Sequence, residues 1–168
     1  MFKTLLSSGW KMLPRSWRWN LLWGFSAKFL LGVTGVVFNA RGELLLAHHV
    51  LRNKVAWGLP GGGVQHGEPL EHAMHREIME ETGLDVRVGH LLQVMLELER
   101  PLLNCYFLCT VEGTPKPTAN GELFAAGFYS LDALPAVIDP EQMAVVRYAL
   151  RVQERVDPPM TIPFGSEK

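Results

Sequence analysis

Apolar positions along this chain recur in two different periods. From Phe29 onward, LGVTGVVFN and ELLLAHHV are β-rich runs on either side of the turn ARG, and each reads as a strand. VRVGHLLQVMLEL, LLNCYFLCTVEG and LFAAGFYSL read as three more, the last two joined by the turn-rich connection TPKPTANGE. Between the second and third strands the period changes. GLPGGGVQHG is a loop with five glycines, and after it Leu70, Ala73, Met74 and Ile78 fall on one helical stripe roughly 140° wide. The spacing predicts a helix opening at Glu68, with Pro69 in its first helical position and Gly83 as a left-handed cap. A second helix is predicted from Asp139 and Pro140 to about Glu154, with Met143, Val146 and Leu150 on one face. Strands before and after one helix, with a final helix, predict an α/β fold whose mixed sheet is covered on both faces.

The first helix breaks its own pattern. Glu77 and Glu81 fall inside the apolar stripe and Glu80 lies on its edge, where a core-facing surface is expected. Carboxylates crowded together and partly out of water repel one another and lose hydration unless a positive group compensates them. A solvated acidic face does not explain them, because Glu71, His72 and His75 already occupy the solvent side. A hard divalent cation that prefers oxygen ligands suits such a strip.

Extended upstream, the stretch is GGVQHGEPLEHAMHREIMEETGL: Gly62, five residues, Glu68, seven residues, then Arg76-Glu77-Ile78-x-Glu80-Glu81-x-Gly83-Leu84. This resembles the Nudix box at every defining position and spacing. The resemblance implies a Nudix-like α/β/α sandwich over residues 29–156. It also implies an enzyme, a Nudix-type pyrophosphohydrolase, that uses Mg²⁺ or Mn²⁺ to cleave a pyrophosphate bond in a nucleoside-diphosphate-linked substrate or a nucleoside di- or triphosphate. By the same mapping Glu77, Glu80 and Glu81 are the expected metal ligands, with the backbone carbonyl of Gly61. Glu77, Glu81, Glu122 and Arg76 form the expected catalytic set. Arg76 is expected to orient and offset the glutamates rather than touch substrate. Gly62, Glu68 and Gly83 are expected to be architectural, Glu68 by favouring the helix dipole and pairing with a cation.

Glu122, six residues before Phe128, occupies the loop where many Nudix proteins carry a further carboxylate. It is the expected group for positioning or deprotonating water, with Glu77, Glu97 and Glu99 as rivals. Arg52 and Lys54 are candidates for meeting phosphate, Trp57 for packing or for stacking on a base, and His66 for touching substrate from the glycine loop. The substrate stays open. The segment before the glycine loop lacks the arginine-rich pattern of coenzyme A pyrophosphatases, and Pro101 and Tyr106 sit off the positions associated with ADP-ribose and dinucleoside polyphosphate hydrolases. Two alternatives stand beside the hydrolase reading: a non-catalytic nucleotide-sensing domain, and an RNA 5′-end pyrophosphohydrolase.

Composition adds three points. The length of 168 residues suits one domain. Its two cysteines, Cys105 and Cys109, lie on one predicted strand roughly 13 Å apart, too far to pair, which makes a reducing cytoplasm the expected compartment. The net charge of −1 conceals an asymmetry, since six basic residues precede the first acid, Glu43. Residues 1–28 hold four of the five tryptophans, and Trp17, Leu21 and Phe25 predict a short amphipathic helix after Pro14. Packing on its own domain or on a second copy in a homodimer is the first expectation for that segment, and contact with a membrane surface or RNA is the other. Basic residues interrupt it before any membrane-spanning apolar run forms. Residues 157–168 read as a proline-broken tail.

Overall fold

The structure is a computed structural model that describes residues 13–49, 57–97, 100–121, 123–135 and 138–154. Arg52, Lys54, Glu99 and Glu122 lie outside the described residues. The elements in chain order are α1 (Arg15–Phe25), β1 (Leu30–Phe38), β2 (Leu44–His49), β3 (Trp57–Gly58), β4 (Gly61–Gly63), α2 (Leu70–Thr82), β5 (Arg87–Glu97), β6 (Leu102–Thr110), β7 (Leu123–Tyr129) and α3 (Pro140–Gln153).

The strands form one mixed sheet in the order β3-β2-β1-β6-β5, with β4 added beside β1 and β7 beside β2. β1 and β6 run parallel in unbroken register from Leu30↔Leu102 to Phe38↔Thr110, and the other pairings between strands are antiparallel. Alternation along the strands divides the interior into two cores. Val33, Val37, Leu45, Cys105, Phe107 and Cys109 meet Ala73, Met74 and Ile78 of α2 on one face. Val36, Phe38, Leu44, Leu46, Tyr106 and Leu108 meet Val145, Val146 and Ala149 of α3 on the other. The expected sandwich is therefore present, and both cysteines are free beneath α2. Full burial of a side chain such as Met74 or Ile78 contributes about 1.5–3 kcal/mol.

Several boundaries differ from the sequence expectation. Pro69 has extended backbone, φ −63° and ψ 145°, and its carbonyl accepts from Ala73 N–H, so it is the cap before α2 rather than its first helical residue. Gly83 does adopt the left-handed conformation, with φ 68°. On α3 the buried stripe is Gln142, Val145, Val146 and Ala149, with Met143 and Leu150 flanking it. Gln142 faces inward because its Oε1 accepts from Leu59 N–H at 2.9 Å, and that hydrogen bond ties α3 to the strand before the glycine loop. Asp139 caps α3, as its position before Pro140 predicts, accepting from Glu141 N–H at 2.8 Å. α1 forms where expected, but none of its residues is buried.

Candidate active site

The acidic strip follows from how α2 is seated. Ala73, Met74 and Ile78 are pinned against the sheet, and Gly35 on β1 leaves room for the Met74 and Ile78 side chains directly above it. The same seating turns the next positions around the helix toward the glycine-rich strand β4. Side-chain exposure is 15% for Glu77 and 16% for Glu68 against 59% for Glu80, so two of the acids are sheltered and one faces out. Among the described residues, a cleft of about 570 Å³ beyond the C-terminal end of α2 includes none of the strip's glutamates. Clustered charge marks the site.

Arg76 is the hub. Its Nε donates to Glu68 Oε1 and its Nη2 to Glu68 Oε2, both at 2.8 Å. Nη1 donates to Glu77 Oε1 at 2.7 Å and to Glu80 Oε2 at 3.2 Å, and Nη2 also donates to the Gly63 carbonyl at 3.0 Å. A guanidinium has five N–H donors, and these five bonds use them all. Arg76 thus ties the turn before α2, the glycine loop and the acidic strip into one unit. The Arg76 guanidinium, with help from Gln65 N–H, holds the Glu68 carboxyl down at about 2, and the carboxylates in turn push Arg76 well above its ordinary value.

The glycines set the approach of the loop. At Gly61 the backbone has φ 151° and lies against Val33 and Thr34 of β1. Its N–H, rather than the carbonyl nominated from sequence, meets the acidic strip by donating to Glu81 Oε2 at 3.0 Å. At Gly62 a Cβ would collide with the carboxylate of Glu77. The loop can therefore close on the acids only because it carries no side chain there. His66 is exposed in the turn before α2. Trp57 is packed: its ring stands edge-on to His48 and Tyr129 at centroid distances of 5.2 and 5.3 Å and rests on the α3 core.

One participant was not visible in the sequence pattern. The connection TPKPTANGE docks on the end of α2, where Thr118 N–H donates to Thr82 O and Asn120 N–H to Glu81 O, both at 2.9 Å. These bonds satisfy carbonyls that a helix terminus leaves open. A buried pair, Thr34 Oγ1 with Asn104 Nδ2 at 2.9 Å, was also missed, because its members lie 70 residues apart.

Among the described residues, no three His, Cys, Asp or Glu side chains are already gathered around a common point as metal ligands. The donor chemistry nevertheless fits a hard divalent ion. Glu68, Glu77 and Glu80 share one guanidinium, so three carboxylates gather on a single positive group, and the Glu81 carboxylate lies beside them on the Gly61 N–H. Glu77, Glu80 and Glu81 are the carboxylates that could hold such an ion.

Similarity to known proteins points the same way. A MutT-like protein of Streptomyces ambofaciens is 32% identical over 127 residues, which is 76% of this chain and 77% of that protein. An ADP-ribose pyrophosphatase of Methanocaldococcus jannaschii is 30% identical over 122 residues, 70% of this chain and 72% of that one. Among solved structures, an ADP-ribose pyrophosphatase from Streptococcus suis superposes with a TM-score of 0.61 at 25% identity, covering 75% of this chain and 92% of the other. Matches to RNA pyrophosphohydrolases are shorter and span 24% to 42% of those proteins. The NUDIX domain profile matches residues 28–149, and the chain belongs to that family.

Proposed function

We propose that this NUDIX pyrophosphohydrolase splits the diphosphate linkage of a nucleoside-diphosphate-linked substrate with the help of Mg²⁺ or Mn²⁺. The observation that carries the reading is the surplus of carboxylates around Arg76, facing a loop of glycines. When bound, a divalent ion neutralises phosphate oxygens and acidifies a coordinated water. The protein's part is orientation. Arg76 holds Glu77 and Glu80, Gly61 N–H holds Glu81, and the bare backbone at Gly61–Gly63 lets a phosphate approach without meeting a Cβ.

Water oxygen attacks one phosphorus, the bridging P–O bond breaks, and the leaving phosphate takes the bonding electron pair. The water proton passes to a carboxylate, for which Glu81, Glu77 and Glu122 are the candidates. Asn120, two residues before Glu122, is anchored to the Glu81 carbonyl, and this supports Glu122 as a member of the set. Arg76, with every donor engaged, is a positioning residue. Similarity to two ADP-ribose pyrophosphatases over most of their length favours a nucleoside-diphosphate-linked substrate over RNA.

The test is a substrate panel. Pure protein with Mg²⁺ or Mn²⁺ is incubated with nucleoside di- and triphosphates, sugar nucleotides, ADP-ribose, dinucleoside polyphosphates and 5′-triphosphorylated and capped RNA, and products are identified by mass. Release of a nucleoside monophosphate from a diphosphate-linked substrate is the expected result. Turnover confined to RNA overturns the substrate assignment, and ligand binding without turnover replaces the enzyme with a sensor.

A further inference from the structure

The acidic site makes no use of α1. Ser16, Asn20 and Gly24 form a narrow polar strip at helical spacing on that helix, and every other residue of Arg15–Phe25 except Arg15 and Arg18 is aromatic or aliphatic. Such a helix is expected to be covered. Yet Trp17, Trp19 and Trp23 are 62–65% exposed and Phe25 is 89% exposed, and the apolar surface continues along the chain through Phe29 and Leu30.

The charge on this segment identifies the covering. No acid precedes Glu43, and among the described residues no carboxylate pairs with Arg15, Arg18 or Lys28. Lys28 Nζ lies 4.0 Å above the Trp23 ring, a cation held at the rim of the aromatic surface. Arg15 and Arg18, with Trp19 and Leu22, border a shallow cleft, and Arg18 Nε is shielded from solvent without a hydrogen-bond partner. Two copies of α1 facing each other would bring like charges together and leave guanidiniums unpaired in a dry contact. A lipid interface resolves both problems. Tryptophan suits the boundary between headgroup and acyl chain, and long cationic side chains extend from apolar surface to phosphate.

We infer that α1 seats this enzyme on an anionic phospholipid surface, with Trp17, Leu21 and Phe25, exposed along one face, entering the acyl boundary and Arg15, Arg18 and Lys28 meeting headgroup phosphates. The inference does not depend on the substrate of the acidic site.

Flotation of the full chain tests it, using vesicles of phosphatidylcholine alone and of phosphatidylcholine with equimolar phosphatidylglycerol. Three cations near the surface predict binding on the order of a hundredfold tighter to the anionic vesicles, weakened by salt, with a blue shift of tryptophan emission. The triple variants R15Q/R18Q/K28Q and W17S/L21S/F25S should each lose binding while keeping turnover in vesicle-free solution. Equal binding to neutral vesicles, or no binding to either, overturns the proposal. So does a dimer in light scattering that W17S/L21S/F25S converts to monomer. Salt-sensitive RNA binding without vesicle binding overturns it in favour of a nucleic-acid contact.

Discussion

Arg76 and Glu68 stand eight residues apart and are joined by a two-pronged ion pair, Nε to Oε1 and Nη2 to Oε2, both at 2.8 Å. The pair closes the turn at Gln65–Pro69 onto the middle of α2 and leaves the remaining guanidinium donors for Glu77, Glu80 and Gly63. A lysine keeps the charge but has no planar fork, so it cannot hold both oxygens of Glu68 while reaching Glu77.

The pair has a pH signature. Glu68 is lowered from an ordinary 4.5 to about 2 by its bonds to Arg76 and Gln65, so its stabilising effect is fully present above pH 4.5 and is lost as pH falls through 2. Urea midpoints taken across this window should fall more steeply for the native chain than for Glu68→Gln. Parallel curves would show that the pair does not distinguish the folded from the unfolded chain.

Glu81→Gln separates chemistry from architecture. The glutamine retains a side-chain oxygen that can accept the Gly61 N–H, so the loop stays seated and the melting temperature should remain within about 2 °C. It loses the negative charge, and metal-dependent turnover should drop by about 10²–10⁴-fold. Unchanged turnover removes Glu81 from the mechanism, and a large fall in melting temperature reassigns it to structure.

The parts of this molecule that sequence made legible are those governed by period and local geometry. Near-continuous apolar runs marked β1, β2 and β6 because each packs on both faces. The 3.6-residue period marked α2 because Ala73, Met74 and Ile78 must meet one sheet, and the same period exposed Glu77 and Glu81 as misplaced. Contacts between distant residues were not legible. Gln142 was not expected in a buried stripe because its partner, Leu59 N–H, lies 83 residues away. Thr82 is also buried on α2, which is tolerable because its hydroxyl donates to the Ile78 carbonyl at 2.7 Å. The docking of Thr118 and Asn120 on α2 depends on carbonyls that a pattern of side chains does not record. Arg76 could be read as a compensating charge, but its fivefold engagement required the fold.

Cys109 offers a check on the first core. It is fully buried beneath α2 and burial pushes its thiol up to about 12, while burial also raises Cys105. The thiolate is the reactive form, so a water-soluble thiol reagent should leave both cysteines untouched in the native protein and modify both in denaturant. Rapid native labelling would mean that the face between α2 and the sheet opens readily.

Neighbouring glycines in the loop should fail in different ways. At Gly61 a Cβ would press into the backbone of Val33 and Thr34, and φ of 151° is a conformation side chains rarely adopt. Neither obstacle can move without disturbing β1, so Gly61→Ala should destabilise the fold by about 1–3 kcal/mol, a loss of several degrees in melting temperature. At Gly62 the obstacle is the carboxylate of Glu77, the far end of a side chain that can rotate away. Gly62→Ala should therefore melt close to the native chain yet lose turnover, because a displaced Glu77 leaves Arg76 Nη1 and the acidic strip together. Melting curves and steady-state rates on the two variants decide the matter. If Gly62→Ala keeps full activity, Glu77 has no role that depends on its present position. If both variants lose stability equally, the loop is a structural element whose closeness to the acids has no chemical purpose.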